Sequence, residues 1–103
     1  MANRLEKIKY FWEDHINNEY YTDSSRESAE YFVEIEKKRY KYHYHLHELF
    51  QRIAMRNIQG KVLLDVGCGI GIDTVQFARM GFERVVGVDL TQTAIDIALG
   101  IKK

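Results

Sequence analysis

Proline is absent from this 103-residue sequence, and cysteine occurs once, at Cys68. Without proline, no helix is forced to stop or kink by a missing backbone N–H group. A single cysteine cannot close a disulfide within the chain, so the fold does not depend on an oxidising compartment. Apolar runs of 18 residues are also absent, which argues against a membrane-spanning helix. These absences, with the mixed charge of residues 1–7, predict a cytoplasmic protein that does not bind membranes.

An excess of either charge is lacking as well, because fifteen Lys and Arg residues balance fifteen Asp and Glu residues. Nucleic-acid binding through phosphate contacts requires clustered basic side chains. The dense basic run at residues 37–41 directly follows acidic residues, and we interpret it as a solvated helix face. The sequence therefore predicts no nucleic-acid partner.

Glycine is missing from the first half of the chain and tyrosine from the second, since every glycine lies at or after Gly60 and every tyrosine at or before Tyr44. The two halves therefore differ in composition, which predicts different structures for them. We expect residues 1–59 to form a helical extension or cap, and residues 60–103 to begin an α/β domain.

Apolar residues in the first half recur at steps of three and four, as on one face of a helix. This spacing predicts a first helix from Asn3 to about residues 17–18. A Ser-x-x-Glu capping box from Ser24 to Glu27 predicts the start of a second helix. A third helix over about residues 41–57, or an extension of the second, completes the predicted extension.

The second half changes to short β-rich runs bounded by glycine. Residues 61–66 and 84–88 read as parallel strands buried on both faces, with a helix between them that ends at Gly81. A further helix over residues 94–99 would be capped by Thr91 or Thr93. This order predicts an α/β fold, the first βαβα portion of a Rossmann-like, doubly wound parallel sheet.

Two parallel strands cannot cover both faces or satisfy their own edges. We therefore expect an incomplete sheet that takes cover from the N-terminal helices, from a second copy of the chain, or from chain beyond Lys103. A homo-oligomer formed through the exposed sheet edge is one possible outcome.

The predicted site is the glycine-rich turn after the first strand. Glycines alternate at Gly67, Gly69 and Gly71, so the backbone can turn tightly and approach a ligand without a Cβ atom in the way. A dinucleotide-binding Gly-x-Gly-x-x-Gly pattern would need glycine where Ile72 stands. This difference argues against a nicotinamide cofactor. Asp89 ends the second strand twenty-two residues after Gly67, where a carboxylate can accept ribose hydroxyls.

The runs from Val62 to Gly71 and from Val85 to Thr91 resemble class I S-adenosylmethionine-dependent methyltransferases, specifically their N-terminal portion. The resemblance covers residues 61–100 and implies S-adenosylmethionine as cofactor. In that family the glycine loop lies against the amino-acid part of the cofactor, and an acid in the first strand anchors the loop. The acid after the second strand binds the ribose, and an apolar residue next to it lies beside the adenine. The implied cofactor-binding residues are Asp65, Gly67, Cys68, Gly69, Ile70, Gly71, Asp89 and Leu90, with backbone contacts alone for Cys68 and Ile70.

The first half more loosely resembles the N-terminal extension of some small-molecule methyltransferases, in which the extension helps to cover cofactor and substrate. This likeness implies a small-molecule methyl acceptor and a pocket lined by tyrosines and by Arg26 or Arg39. The family's later strands, which carry adenine-contacting and substrate-facing residues, do not occur in these 103 residues. We therefore identify no catalytic residue and expect the chain alone to be nearly inactive.

The sequence is also compatible with other functions. A non-catalytic binding or oligomerising module is one alternative, and a nicotinamide-dependent oxidoreductase fragment is another. His43 and His47 are one helical turn apart, but two ligands do not make a metal site, and we predict none.

Overall fold

A computed structural model of the chain describes residues 3–100. The elements are, in chain order, α1 (Arg4–Asp14), a 3₁₀ turn (Glu19–Tyr21), α2 (Ala29–Tyr42), α3 (His45–Ala54), β1 (Val62–Val66), α4 (Ile72–Arg79), β2 (Arg84–Val88) and α5 (Gln92–Leu99). The strands pair in parallel, with Val62 opposite Arg84 and Val66 opposite Val88. This is the predicted βαβα order, preceded by helices, so the α/β Rossmann-like class with an incomplete sheet is confirmed. Between residues 3 and 100, no helix is both long and apolar enough to cross a membrane.

The helices of the first half differ from prediction at their ends. Asn3 and Glu6 form a capping box, in which each side chain accepts a hydrogen bond from the other residue's backbone N–H, so α1 begins at Arg4. It ends at Asp14, before the predicted residues 17–18. The break that the pattern left open between the second and third helices lies at residues 43–44.

The capping box predicted at Ser24 is wrong. Helix α2 begins four residues later than that prediction requires, at Ala29 with Ser28 as its N-cap. The Ser24 hydroxyl donates instead to Glu34 at 2.7 Å, and the same carboxylate accepts from Thr22 at 2.8 Å. Because Glu34 competes for the hydroxyl, Ser24 ties the preceding loop to the side of α2 and leaves the helix N-terminus alone.

The core joins the first half of the chain to the second. Tyr31 and Ile35 of α2 are fully buried, and they cluster with buried side chains from the glycine turn, α4 and α5: Ile70, Ile72, Ala94 and Ile97. The N-terminal helices thus pack on the glycine turn and on the helices that flank the sheet, and no side chain of the described strands belongs to this cluster.

The expectation that both strands are buried on both faces is wrong for the described residues. Alternate side chains on one sheet face are exposed, and Val66 retains 75% of its accessible surface. The exposed aliphatic residues on this face are Val62, Leu64, Val66, Val86 and Val88. Leu64 lies opposite Val86, and Val66 lies opposite Val88, so the exposed side chains are neighbours across the two strands. Helices α2, α4 and α5 meet in a core on the opposite side, so within residues 3–100 only one sheet face is covered.

Helix α5 is capped by a residue from the other end of the chain. The Glu13 carboxylate accepts hydrogen bonds from the backbone N–H groups of Gln92 at 2.9 Å and Thr93 at 3.2 Å, and from the Thr93 hydroxyl. Thr91 occupies the N-cap position but makes no side-chain capping bond. Thr91 therefore stands at the predicted N-cap position, but the prediction of a threonine side-chain cap is wrong, because an acidic side chain from α1 accepts from two N–H groups of the first turn.

Replacing Glu13 by Ala is expected to loosen the attachment of α1 to α5. The hydrogen bonds from Thr93 and Gln92 lower the pKa of Glu13, so the carboxylate is charged at neutral pH and complements the positive end of the helix dipole. Without it, amide hydrogen exchange at Gln92 and Thr93 should become faster. The matched control is Asp14→Ala, which removes an exposed neighbouring carboxylate. Equal exchange rates in both variants would contradict a capping role for Glu13.

Candidate cofactor site

A cleft of about 330 Å³ lies at the carboxyl ends of β1 and β2, where open parallel sheets bind their ligands. This volume falls within the roughly 300–1,000 Å³ that is typical of small-molecule sites. One wall comes from the second half of the chain: Gly67, Cys68, Gly69, Ile70, Ile72, Asp73, Asp89, Leu90, Thr91 and Ala94. The other wall comes from the first half: Trp12, His15, Ile16, Asn17, Asn18 and Arg39.

The glycine turn has the backbone conformation that its sequence predicts. Gly67, Gly69 and Gly71 have φ angles of 74°, 55° and 86°, a region that residues with a Cβ atom seldom adopt. The N–H groups of Gly67 and Cys68 both donate to the Val88 carbonyl, at 2.8 and 2.9 Å. The turn is therefore fixed to the end of the neighbouring strand, next to Asp89.

Asp89 is held against the glycine turn by three donors. The Gly69 N–H donates to Oδ2 at 2.8 Å, while the N–H and hydroxyl of Thr91 donate to Oδ1 at 2.9 and 2.8 Å. Burial alone would raise the pKa of Asp89, but the bonds from Thr91 and Gly69 outweigh it and lower the pKa, so the group is a carboxylate at neutral pH. Each carboxylate oxygen can accept two hydrogen bonds, which leaves Oδ2 with capacity for a further donor.

Six of the residues predicted to bind the cofactor line the cleft: Gly67, Cys68, Gly69, Ile70, Asp89 and Leu90. Asp65 and Gly71 do not line it. Asp65 accepts a hydrogen bond from the Thr74 hydroxyl at 2.7 Å, which ties β1 to α4 beneath the turn. Gly71 is the N-cap of α4. Both residues are positioned to shape the turn from outside the cleft.

The wall from the first half of the chain matches the sequence prediction only in part. Arg39 lines the cleft, whereas Arg26 pairs with Glu19 at 2.6 Å away from it. No tyrosine in residues 3–100 lines the cleft, so the expected tyrosine lining is wrong. Trp12, in the last turn of α1, lines the cleft instead, together with residues 15–18, which follow that helix.

An ion pair joins the two walls. The Arg39 guanidinium binds Asp73 with two bonds, from Nε at 2.9 Å and from Nη2 at 2.6 Å, and the Tyr40 hydroxyl donates to the same carboxylate at 2.7 Å. Arg39 also donates to the side-chain oxygen of Asn18, whose φ of 72° is left-handed. Sequence reasoning missed the pairing of Asp73 with Arg39, because a pair separated by thirty-four residues leaves no local pattern.

Comparison with known families agrees with this geometry. Residues 36–103 match the profile of a family described as "Methyltransferase domain". The chain belongs to the class I S-adenosylmethionine-dependent methyltransferases. The match begins within α2, and so includes both Arg39 and the glycine turn.

Several curated methyltransferases are similar to short stretches of this methyltransferase chain. Ribosomal protein L11 methyltransferases from Tolumonas auensis and Thermotoga maritima are each 42% identical over 40 residues, 39% of this chain and 14% and 15% of their own lengths. A probable protein arginine N-methyltransferase 6 from Arabidopsis thaliana is 47% identical over 38 residues, 37% of this chain and 9% of its own length. The aligned part is therefore less than a sixth of any of these relatives. No solved structure matched the chain significantly.

Cys68 of the methyltransferase turn lies against the next strand. Burial, and then the charges of Asp89 and Asp65, raise the pKa of its thiol, so it stays protonated at neutral pH and is a poor nucleophile. A Cβ atom added at Gly87 would lie 2.9 Å from the Cys68 Sγ and 3.0 Å from its Cβ. Glycine at position 87 is therefore what allows Cys68 to pack beneath the turn.

Replacing Gly87 by Ala is expected to lower the free energy of unfolding by about 1 kcal/mol, because the methyl group overlaps Cys68. Urea denaturation measures this loss. Combining Gly87→Ala with Cys68→Ala removes the sulfur but not the Cβ, so it should recover part of the loss. A fully stable Gly87→Ala variant, or no recovery in the double variant, would show that this contact does not limit packing.

His43 and His47 have partners other than a metal ion. Within the part of the chain that the structure describes, no three His, Cys, Asp or Glu side chains are placed to hold a metal ion. His43 instead shares a hydrogen bond with the Tyr21 hydroxyl at 3.0 Å, and His47 contacts the Tyr40 carbonyl at 3.2 Å.

Proposed function

We propose that the cleft binds S-adenosylmethionine, with a ribose hydroxyl on Asp89 Oδ2, the amino-acid part along the glycine turn, and the adenine beside Leu90. The observation that carries this proposal is the Asp89 carboxylate, which is oriented by three donors at the rim of the cleft and retains an acceptor position. Use of S-adenosylmethionine is a property of the family, and the assignment of residues to its parts is ours.

The glycine spacing favours this cofactor over a nicotinamide dinucleotide, because Ile72 stands where a dinucleotide-binding turn has its third glycine. Asp89 does not separate the two cofactors, since dinucleotide-binding folds also place an acid there for the ribose. Among the described residues, the one Arg that lines the cleft, Arg39, is paired with Asp73, so its charge is already matched.

We propose a small molecule as the methyl acceptor of the complete enzyme. Trp12, residues 15–18 and Arg39 line the cleft. The N-terminal extension, residues 1–59, would act as a cap that excludes water while the acceptor and the methyl group are brought into line. A protein acceptor is the second candidate, favoured by the printed names of the relatives, which refer to ribosomal protein L11 and to protein arginine. The single cysteine suits a reducing, cytoplasmic setting for either activity.

A non-catalytic role is the remaining alternative. The exposed aliphatic face of the sheet, with two strands that are both edges, would allow pairing with a second copy. Size-exclusion chromatography with light scattering separates the two cases when run with and without S-adenosylhomocysteine. An oligomer that binds no nucleoside would favour the oligomerising module over the enzyme portion.

Calorimetric titration of the chain with S-adenosylhomocysteine and, separately, with NADH tests the proposal. We expect saturable 1:1 heat with S-adenosylhomocysteine and none above dilution with NADH at the same concentrations. Binding of NADH alone, or of neither ligand by a chain whose circular dichroism shows it to be folded, would contradict the proposed function.

A further inference from the structure

Thr91 occupies a position that normally serves a helix, and its hydroxyl serves Asp89 instead. It is the N-cap of α5, where a threonine oxygen usually accepts from the second or third N–H of the helix. Here the hydroxyl donates to Asp89 Oδ1 at 2.8 Å, and the Thr91 N–H donates to the same oxygen at 2.9 Å. Thr91 is 3% exposed, and it borders the cleft.

The helix does not lose its cap, because Glu13 supplies one. That carboxylate accepts from the N–H groups of Gln92 and Thr93, two of those left free at the start of α5. Capping by Glu13 therefore releases the Thr91 hydroxyl for a contact that adds nothing to the helix itself. A side chain that departs from its local structural role next to a ligand cleft indicates a functional use.

The three bonds give the two oxygens of Asp89 different tasks. Oδ1 receives both donors from Thr91 and has no acceptor capacity left, whereas Oδ2 receives only the Gly69 N–H. Two bonds to one oxygen and one to the other fix the rotation of the carboxylate, so the spare acceptor capacity of Oδ2 is held in one orientation before any ligand arrives. Such preorganisation removes an ordering cost from binding.

We propose that Thr91 is a positioning residue for the cofactor ribose: its hydroxyl holds Asp89 in the rotamer that presents Oδ2 to the cleft. This inference rests on the proposed function, since Asp89 must be the ribose acceptor. In this inference Thr91 is not itself a ligand of the ribose or of the transferred methyl group. Its contribution to cofactor affinity passes entirely through Asp89.

Thr91→Val tests this inference, because valine keeps the shape and the backbone N–H but removes the hydroxyl. We expect calorimetry to show roughly tenfold weaker binding of S-adenosylhomocysteine, the effect of losing one hydrogen bond to a charged group. Thr91→Ser restores the donor and should bind within about twofold of the unsubstituted chain. Thr91→Ala serves as a second deletion variant, and the urea midpoint of each variant shows that the fold is intact.

A double-mutant cycle with Asp89→Asn separates positioning from general structural support. If Thr91 acts through Asp89, Thr91→Val should weaken binding in the unsubstituted chain but change it little in Asp89→Asn. Equal losses in both backgrounds would overturn the inference, as would unchanged affinity of Thr91→Val. Absence of binding by the unsubstituted chain is a different result, because it removes the proposed function and this inference together.

The pH dependence gives a readout that a purely structural threonine would not move. The bonds from Thr91 help to lower the pKa of Asp89, so removing the hydroxyl should raise that pKa. Affinity for S-adenosylhomocysteine should then begin to fall at a higher pH in Thr91→Val than in Thr91→Ser. Coincident pH profiles for the two variants would count against positioning by Thr91.

Discussion

Replacing Asp89 by Asn is expected to weaken S-adenosylhomocysteine binding roughly 30- to 100-fold, the equivalent of about 2–3 kcal/mol for hydrogen bonds to a charged group. Asparagine retains one acceptor oxygen and gains an NH₂ group. In the observed geometry that NH₂ group must face either the two donors of Thr91 or the N–H of Gly69. The NH₂ group is itself a donor, so it cannot accept the hydrogen bond on whichever side it faces. The ribose also loses its charged partner.

The matched control for Asp89→Asn is Asp23→Asn, which removes an exposed carboxylate outside the cleft. Calorimetry on both variants measures the difference in affinity, and circular dichroism checks that both are folded. Affinity of Asp89→Asn within threefold of the control would contradict the assignment of the ribose to Asp89.

Replacing Arg39 by Met is expected to lower the free energy of unfolding by about 2–3 kcal/mol. Removing one partner of a fully buried ion pair costs roughly 3–5 kcal/mol, because the other charge is left without compensation. The side chains of Arg39 and Asp73 are 18% and 28% exposed, so solvent reduces that cost. Tyr40 also continues to donate to Asp73 in the variant.

The double variant Arg39→Met with Asp73→Asn distinguishes loss of the ion pair from loss of packing. If the uncompensated charge of Asp73 is the main cost, the double variant should be more stable than Arg39→Met alone. Urea denaturation at pH 7 measures all the free energies. A double variant as unstable as the sum of the two single variants would contradict an interaction between these residues.

The free energy of unfolding, measured by urea denaturation at decreasing pH, should also distinguish the unsubstituted chain from Arg39→Met. Burial acts to raise the pKa of Asp73, but the bonds from Arg39 and Tyr40 outweigh burial and lower it below its ordinary value. A lowered folded-state pKa means stability that is present above the unfolded pKa of about 3.9 and is lost as pH falls through the folded pKa. The unsubstituted chain should therefore lose this contribution below about pH 4, and Arg39→Met should show a smaller loss over the same range.

The glycine turn and the strand order followed directly from sequence because both are local. Three alternating glycines after an apolar run allow few other backbone paths, and all three have the expected positive φ angles. The position of Asp89 follows from the end of β2, since parallel strands bring their carboxyl ends to one edge. Neither inference required knowledge of distant contacts.

The parts that sequence did not predict depend on partners far along the chain. Ser24 and Thr91 both have the residue type of a helix cap, yet Glu34 draws the first hydroxyl away and Asp89 accepts from the second. Glu13 caps a helix about eighty residues later, and no periodicity signals such a pair. Local pattern identifies which side chains can cap, but competition among acceptors in the folded chain decides which of them do.

The open sheet face has a similar origin. The runs 61–66 and 84–88 have aliphatic residues on both alternating faces, interrupted by Lys61, Asp65 and Arg84, a pattern that suggests a sheet with helices on each side. Cover depends on which other elements pack there, and the described helices meet in a core on one side only. The strand pattern therefore reports which faces are suited to burial, while the structure reports which face is buried.

An NMR titration of the ¹⁵N-labelled chain with S-adenosylhomocysteine tests most directly whether the cofactor lies on the glycine turn with its ribose at Asp89. We expect saturable shifts of the amides of Gly67, Gly69 and Leu90, and little change in α3 (His45–Ala54), which does not line the cleft. Saturable shifts confined to α3 or to the exposed face of β1 and β2, with the glycine amides unmoved, would contradict this placement.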